Sequence, residues 1–516
     1  MPTDPQQPTG VDPQLLRARE HLADDAVGTA DKARALLAGR PGDQALLYGV
    51  AATLIDAADI ARRPELADEG VRLLRSLPES VTDYIAYNLA NGLQIAADLR
   101  YPKSPAGRLQ GWEPRREARG LLRVAGRDVR LPAGDRSQAL CNLGNLLDSS
   151  GRWLEAHEAY REALDLDPTN AMASGNAAIA LFYVARRPVS GRPRILALSD
   201  RLLRHAREHP EEVLARADQR AVAHFGSYVY SNVPQPDHEF QPADDYARFV
   251  VCHRLALTFT VEGLASGAPL DEAHVHAPAA HPLANALLEQ LGADYLKIRA
   301  MAYEALTVLP GEAAATLAAG DRAKPGSKEV DRPSAGRGWY RLEDGALVGD
   351  AVSALVLAQR TAIDILDRIA VAANLVLGIG DRPDKINFRK FWFEADSKNK
   401  SQPDLGRLRE KLLVSPEPWL AAAMAELAVD MGRSGLYSHT QDLRNAATHR
   451  FLVVHETAPD PNLPDGDRAM ERVALDPYAR GVVEALQVTR AALLYLMMLL
   501  TPSATPLPTS DGSATA

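Results

Sequence analysis

The sequence predicts an all-α protein that is divided into two helical parts. Ala, Leu and Arg are abundant while Phe, Trp and Tyr make up only 6% of the 516 residues, and this composition favours helices over sheets. No segment alternates continuously between apolar and polar residues, as a half-buried strand would. The chain is also too long for one compact core, so we expect two or three domains.

The overall composition excludes several classes of protein. A net charge of -9 excludes a histone-like polycation. The chain has only two cysteines, Cys141 and Cys252, which excludes a disulfide scaffold and a zinc site built from four cysteines. The N-terminal residues lack the features of a signal peptide and the apolar runs are short, so we expect a cytoplasmic protein that does not span a membrane.

Changes in composition along the chain suggest the domain limits. Both ends are rich in Pro, Ser and Thr and are expected to be disordered. The predicted order is a tail at residues 1–12, helical repeats at 13–215, a helical connector at 216–284, a second helical domain at 285–500 and a tail at 501–516.

A helix pair at residues 137–170 has small residues where its two helices would touch. Nine positions fit one fixed frame: Leu140, Leu143, Gly144, Leu147, Gly151, Ala156, Tyr160, Ala163 and Pro168. This 34-residue pattern closely resembles the tetratricopeptide (TPR) repeat. Weaker copies place Asn88, Asn142 and Asn176 in register, and repeats of this kind stack into a solenoid because one repeat cannot bury its own apolar face. The resemblance implies that a protein or peptide partner binds the repeats.

Two stretches that interrupt the repeat pattern are strongly basic. Residues 100–130 contain nine Lys or Arg and three acidic residues, and residues 186–207 contain seven Arg and one Asp. Such patches can bind RNA phosphates, although solvated loops and helix faces are the simpler interpretation. The candidate RNA contacts are Arg115, Arg116, Arg119, Arg192 and Arg194.

The C-terminal part is predicted to be a bundle of four or five helices. Ser438 and Gln441 have the spacing of a capping box and define the start of one of them. In the connector, His274, His276 and His281 could be zinc ligands or ordinary surface residues. No further ligand follows them at a familiar spacing, so we predict no metal site. The longer helices are expected at residues 284–306, 347–377, 438–456 and 475–499, with shorter helices near 404–414 and 417–431.

Arg444, Asn445 and His449 form the candidate catalytic group. Several Arg–His pairs in the chain have a similar spacing, but only Arg444 is directly followed by Asn. An Arg, a polar residue and a His late in an all-helical bundle, downstream of TPR repeats, resemble the HEPN superfamily (higher eukaryotes and prokaryotes nucleotide-binding). The ribonuclease motif of that superfamily is Arg, then four to six residues, then His.

The resemblance implies a metal-independent endoribonuclease that needs no cofactor. His449 would transfer protons, Arg444 would stabilise the negative charge of the reacting phosphate, and Asn445 would orient the imidazole or contact phosphate. On one helix Arg444 and His449 would lie about 140° apart. The family forms dimers in which two motifs face one cleft, so a homodimer is implied. HEPN ribonucleases commonly act as toxins or in antiphage defence.

Two other interpretations remain open at this point. The chain could be a TPR–HEPN scaffold that binds RNA, nucleotide or protein without cutting, or a TPR adaptor whose C-terminal bundle serves only for dimerisation. In either case Arg444 and His449 would make ordinary hydrogen bonds inside the bundle. The sequence identifies neither the RNA substrate nor an activating signal.

Overall fold

A computed structural model describes most of the chain: residues 12–78, 83–234, 240–262, 264, 268–272, 283–310, 312–319, 338–432, 435–438, 451–460 and 469–501. Helices predominate within these ranges, which confirms the predicted all-α class. The helices of six or more residues are α1 (Pro13–Arg19), α2 (Ala26–Gly39), α3 (Gln44–Ala61), α4 (Pro64–Arg75), α5 (Ile85–Arg100), α6 (Pro105–Gln110), α7 (Trp112–Arg127), α8 (Ala133–Asp148), α9 (Trp153–Leu166), α10 (Ala171–Ala185), α11 (Arg192–Glu208), α12 (Pro210–Arg216), α13 (Gln219–Ser227), α14 (Asp245–Cys252), α15 (Ala284–Val308), α16 (Glu312–Ala319), α17 (Asp350–Val376), α20 (Pro418–Asp430) and α21 (Leu475–Leu500). The remaining elements are the short helices α18 (Phe388–Phe391) and α19 (Glu410–Leu413), a 3₁₀ helix (Pro383–Lys385) and the strands β1 (Tyr340–Arg341), β2 (Ala346–Val348), β3 (Phe393–Ala395), β4 (Pro403–Leu408), β5 (Phe451–His455) and β6 (Met470–Ala474).

Helices α2 to α11 form an array in which each longer helix packs on the next one. Helices α8 and α9 are the pair predicted at residues 137–170. They approach closely at Gly144, where a Cβ atom would lie only 2.3 Å from the ring of Tyr160. Helix α9 ends at Leu166, just before Pro168. The small residue and the proline therefore have the structural roles that the repeat pattern predicts.

The two basic stretches are part of this array. Residues 100–130 contain α7, which packs between α5 and α8, and residues 186–207 contain most of α11, which packs on α10. That they interrupt the TPR-like repeats stays a prediction. Arg115, Arg119 and Arg187 in these stretches are buried and form ion pairs.

The C-terminal part is built around α15, α17 and α21, which pack on one another. By length and apolar composition, α3 and α21 could each cross a membrane. In the structure 50% of the apolar window of α3 and 89% of that of α21 are buried inside the protein. The apolar composition of α21 is thus explained by its central position in the core.

Two small sheets accompany the helices and were not predicted. In the larger one the strand order is β1-β2-β5-β6, with β5 and β6 parallel and the other neighbours antiparallel; β3 and β4 form an antiparallel hairpin. The helices expected at 404–414 and 438–456 are therefore wrong over β4 and β5. Strand β2 leads into α17 through Gly349, where a Cβ atom would lie 2.2 Å from the carbonyl oxygen of Gly338.

One hydrophobic core connects the array to the C-terminal part. Its buried members run from Tyr48 in α3 to Leu500 in α21, and a smaller cluster joins α1 to α4. Because the core is continuous, it marks no boundary between the parts. The predicted domain limits remain predictions.

Candidate functional site

The predicted catalytic residues Arg444, Asn445 and His449 lie outside the described residues, but the structure describes the chain on both sides of them. Upstream, α20 ends at Asp430 and a turn leads to Ser438, which has helical backbone geometry. Downstream, β5 begins at Phe451. The roles assigned to the three residues therefore remain predictions. The structure shows the contacts of the segments on either side of them. His274, His276 and His281 also lie outside the described residues.

The upstream segment is held by the helical array. The hydroxyl of Tyr437 donates to Glu155 Oε1 at 2.6 Å, and Arg123 donates to the carbonyl oxygen of Leu436. The backbone N–H of Tyr437 donates to the carbonyl oxygen of Asp430 at 2.9 Å. This tight turn requires glycine at position 435, since a Cβ atom there would lie 2.2 Å from the same oxygen. The chain therefore enters the predicted motif from a fixed position.

Three buried arginines of the array bind acidic residues along α20. Arg119 forms two ion pairs of 2.8 Å with Glu426 and Asp430, and Arg152 binds Asp430 from the other side. Arg187 pairs with Glu417, the N-cap residue of α20, at 2.5 Å. The three arginines are at most 1% exposed. We call this set, together with Glu155, the buried ion network.

Asp430 stays ionised although it is buried, and the two phenols that contact Glu155 stay protonated. Burial alone would raise the pKa of Asp430, but Arg119 and Arg152 lower it below its usual value of 3.8, so the carboxylate stays ionised. Burial raises the pKa of Tyr437 and of Tyr495 well above the usual value. Both phenols therefore keep their protons and donate to Glu155, which also binds Arg152.

The downstream strand carries His455, which is only 2% exposed. Its Nε2 lies 3.1 Å from Arg472 Nη1, and because a guanidinium can only donate, this nitrogen is the acceptor. Arg472 also pairs with Asp344 at 3.2 Å, in the turn between β1 and β2. His455 thus helps to hold the four-stranded sheet together.

Two of the five predicted RNA contacts are internal structural residues. Arg115 is 0% exposed, donates to the carbonyl oxygens of Gly107 and Arg108, and pairs with Asp98 at 3.0 Å. Arg119 is equally buried in the ion network. Neither guanidinium can reach a phosphate in this fold, so the prediction is wrong for both. Local charge in the sequence did not reveal that Arg115 is bound by backbone carbonyls of its own region, or that Arg119 pairs with residues more than 300 positions away.

The other three candidates remain nearer the surface. Arg192 is exposed and donates through Nε to the carbonyl oxygen of Ala185, and Arg194 pairs with Glu272 at 2.7 Å. Arg116 is half-buried, with its guanidinium 4.8 Å from the centre of the Trp112 ring. It makes no hydrogen bond or ion pair with a residue in the described ranges, and its Nε is buried without a partner there. RNA binding by these three residues stays a prediction.

A row of half-buried amides crosses the array. Asn142 donates to Asn91 at 3.1 Å, Asn176 donates to Asn145 at 2.8 Å, and Asn88 donates to Tyr48 at 2.5 Å. The register predicted for Asn88, Asn142 and Asn176 thus corresponds to hydrogen bonds between helices that have one longer helix of the array between them: α5 with α3, α8 with α5 and α10 with α8. Side-chain amides both donate and accept, which suits them to peptide backbones.

The described residues offer little that could hold a cofactor or a metal ion. Within those ranges no group of three or more His, Cys, Asp or Glu side chains is arranged around a common point. A pocket between α10 and α11, closed by residues 228–231, has room for little more than a water molecule. Cys141 and Cys252 are free thiols, and burial raises the pKa of Cys141 to about 12.

Two segments of the chain match the models of known protein families. Residues 275–502 match the model of the LA2681-like HEPN family, and residues 137–170 match the model of a tetratricopeptide repeat. Both matches confirm the predicted arrangement of a TPR part followed by a C-terminal HEPN domain. No curated protein matches the chain. The HEPN match includes α15, α17, α20 and α21 and the segment with Arg444 and His449.

Proposed function

From a chain whose residues 275–502 match the LA2681-like HEPN family, we propose a metal-independent endoribonuclease with a TPR arm that binds a protein partner. The observation that supports catalysis most directly is the Arg444-Asn445-Ala446-Ala447-Thr448-His449 motif inside the matched region. A non-catalytic TPR–HEPN scaffold is the second candidate. It is favoured by the extensive burial of the array against the C-terminal part, which a scaffold would also need.

The proposed reaction uses the 2′-hydroxyl of RNA as the nucleophile. A base removes the proton of this hydroxyl, its oxygen forms a bond to phosphorus, and the bond from phosphorus to the 5′-oxygen breaks as that oxygen receives a proton. His449 carries the proton transfers, since imidazole titrates near neutral pH. Arg444 stabilises the negative charge that gathers on the phosphate oxygens, and Asn445 orients the imidazole.

Cleavage of RNA in the presence of EDTA tests this proposal. The purified full chain is expected to produce fragments that end in a 2′,3′-cyclic phosphate or its opened form, with a 5′-hydroxyl on the other fragment. An RNA with 2′-O-methyl groups at every position should stay intact, because it lacks the nucleophile. Binding of RNA without cleavage under all conditions would favour the scaffold instead.

The active form is expected to be a homodimer with a composite cleft. Arg444 and His449 are about 140° apart if they lie on one helix, so a single chain presents them poorly to one phosphate. An equimolar mixture of Arg444→Ala and His449→Ala chains should cleave RNA much faster than either variant alone, and light scattering should report the mass of two chains. A monomer, or a mixture as inactive as its components, would contradict the composite cleft.

We also propose a biological role for this ribonuclease. Resemblance to HEPN ribonucleases supports a toxin or antiphage-defence effector in the cytoplasm, where the two free cysteines would stay reduced. The half-buried amide row, Asn88, Asn91, Asn142, Asn145 and Asn176, is the proposed contact surface for the protein partner. Partner binding there would leave the buried ion network in place, because that network uses other side chains of the array.

A further inference from the structure

We propose that Tyr437 is a positioning residue for the predicted ribonuclease motif, and that the helical array supplies the groups that hold it. The inference rests on the proposed function, because Tyr437 lies seven residues before Arg444. Residues 435–438, which we call the entry segment, lead from the end of α20 towards the motif. The groups that bind this segment come from three different helices, and each is itself held in place.

The hydroxyl of Tyr437 reaches an acceptor that other residues already hold. It donates to Glu155 Oε1 at 2.6 Å, while Arg152 Nε donates to Oε2 of the same carboxylate at 2.7 Å. The hydroxyl of Tyr495 in α21 donates to Oε2 as well, at 3.2 Å. Glu155 is only 6% exposed, so its bound partners are protein groups rather than bulk water. The carboxylate is thus a fixed point, and its hydrogen bond fixes the phenol of Tyr437.

Arg123 of α7 contacts the entry segment from another side. Its guanidinium lies 5.7 Å from the centre of the Tyr437 ring, within the range of a cation–π contact. The same guanidinium donates to the carbonyl oxygen of Leu436. It also pairs with Glu484 of α21 at 3.3 Å. Because Arg123 is held by Glu484, it limits movement of both the ring and the neighbouring peptide group.

The backbone of the entry segment is attached to α20. The N–H of Tyr437 donates to the carbonyl oxygen of Asp430 at 2.9 Å, and the side chain of Asp430 belongs to the buried ion network. Contacts from α7, α9 and α20 therefore converge on two consecutive residues, Leu436 and Tyr437. A segment that is already ordered loses no further backbone freedom when the reacting groups are assembled, so these contacts favour a positioned motif.

The origin of these contacts gives the array a role in the proposed catalysis. The HEPN match covers residues 275–502, whereas Arg123, Arg152 and Glu155 all precede it in the chain. The region that matches the HEPN family is therefore an incomplete catalytic unit without the array. An arm that served only to bind a protein partner would need no contact with the entry segment.

The variant Tyr437→Phe in the full chain tests the positioning role, because it removes one hydroxyl and keeps the ring. The single-turnover rate at saturating RNA is expected to fall about tenfold, since a small displacement of reacting groups is costly. The RNA concentration that gives half of the maximal rate should stay within about twofold, because Tyr437 is not proposed to contact the substrate. Amide hydrogen exchange in peptides that contain residues 436–438 should become about tenfold faster, because a hydrogen bond to a charged group no longer opposes local opening.

Tyr495→Phe is the matched control. It removes a hydroxyl from the same carboxylate, but Tyr495 belongs to α21 and not to the entry segment. The Tyr495 hydroxyl also accepts from the backbone N–H of Glu155 at 3.4 Å, so its loss should lower the melting temperature at least as much as Tyr437→Phe does. The cleavage rate and the exchange at residues 436–438 are still expected to stay within about twofold of the wild type. Equal changes in the two variants would show a general loss of stability and overturn the positioning role.

Arg123→Met and Arg127→Met form a second pair of variants. Both arginines lie on α7 and pair with Glu484, at 3.3 and 3.8 Å. Arg123 also binds Leu436, whereas the side chain of Arg127 is 55% exposed. Arg123→Met is expected to reproduce the faster exchange and the slower cleavage of Tyr437→Phe, and Arg127→Met should resemble the wild type. An equal effect of the two substitutions would contradict the role of Arg123.

Two further outcomes separate this inference from the proposed function. If Tyr437→Phe accelerates exchange at residues 436–438 and leaves the cleavage rate unchanged, the entry segment does not position the motif and the inference is overturned. If exchange responds as expected and the wild type never cleaves RNA, the hold of the array on the entry segment stands and the ribonuclease proposal fails.

Discussion

Replacement of His449 by alanine is expected to lower the rate of RNA cleavage by about 10²–10⁴-fold, because it removes the group that transfers protons. Arg444→Ala should cost a similar factor, since it removes the charge that stabilises the phosphate in the transition state. Asn445→Ala should have a smaller effect, because it changes only the orientation of the imidazole. The measurement is the single-turnover rate of RNA cleavage by the purified full chain in EDTA.

The chain contains its own control for this prediction. Arg204 and His209 have the same spacing as Arg444 and His449, but they lie in and after α11 of the array, and the His209 side chain is 46% exposed. His209→Ala should therefore leave the rate unchanged. Cleavage that persists in both Arg444→Ala and His449→Ala would show that the motif is not the active site, and cleavage that requires a metal ion would show a different mechanism.

Asp430→Asn is expected to reduce the free energy of unfolding by about 3–5 kcal/mol, because it leaves the buried guanidinium groups of Arg119 and Arg152 without full neutralisation. Both arginines are 0% exposed, so water cannot replace the lost carboxylate. Asp430 also ends α20, directly before the turn that leads to Tyr437. The loss is measured by denaturant titration of the purified variant at neutral pH.

The matched control is Asp384→Asn, which breaks a 2.8 Å ion pair with Arg382 in which both side chains are more than half exposed. Exposed pairs contribute about 0–1 kcal/mol, so this variant should be nearly as stable as the wild type. The pKa of Asp430 is lower in the folded protein than its usual 3.8. Its contribution is therefore complete above about pH 4 and disappears as the pH falls through the lower folded value. A deficit that grows on acidification would contradict this assignment.

The sequence predicted the elements whose stability depends on local pattern. In the repeat at 137–170, Gly144 and Tyr160 are sixteen residues apart and their contact belongs to a single helix pair, so one short stretch contains all the information. The long helices α15, α17, α20 and α21 were also predicted to within a few residues, because each has an extended apolar face or is apolar throughout.

The sheets could not be predicted in the same way. Strand β5 pairs with β2, more than one hundred residues away, and the strands are at most six residues long. Short strands depend on these distant partners more than on their own composition. The run Phe451-Leu452-Val453-Val454 does carry a weak signal, because β-branched and aromatic residues are enriched in strands. The capping-box spacing of Ser438 and Gln441 favours a helix in this region, and that signal outweighs the weaker strand signal in the sequence.

The buried ion network shows the limit of charge counting. Arg119 and Asp430 are 311 residues apart in sequence, and Arg187 and Glu417 are 230 residues apart. The sequence prediction used only the charge of the local stretch and assigned Arg115 and Arg119 to RNA. Both guanidinium groups are buried inside the protein. Arg116, directly beside Arg115, has a different environment because neighbouring positions of a helix point about 100° apart.

The same separation has a consequence for protein synthesis. The ribosome completes the array before it reaches α20, so Arg119, Arg152 and Arg187 emerge long before Asp430, Glu426 and Glu417 exist. Desolvating these cations without their partners is unfavourable, so the corresponding face of the nascent array stays hydrated until the C-terminal third has been translated. A translation product that stops before α20 would therefore expose a positively charged surface and be a natural target for chaperones and proteases. The docking of α20 therefore has to wait until this part of the chain has been synthesised, and the segment that leads to the predicted motif is fixed only after that.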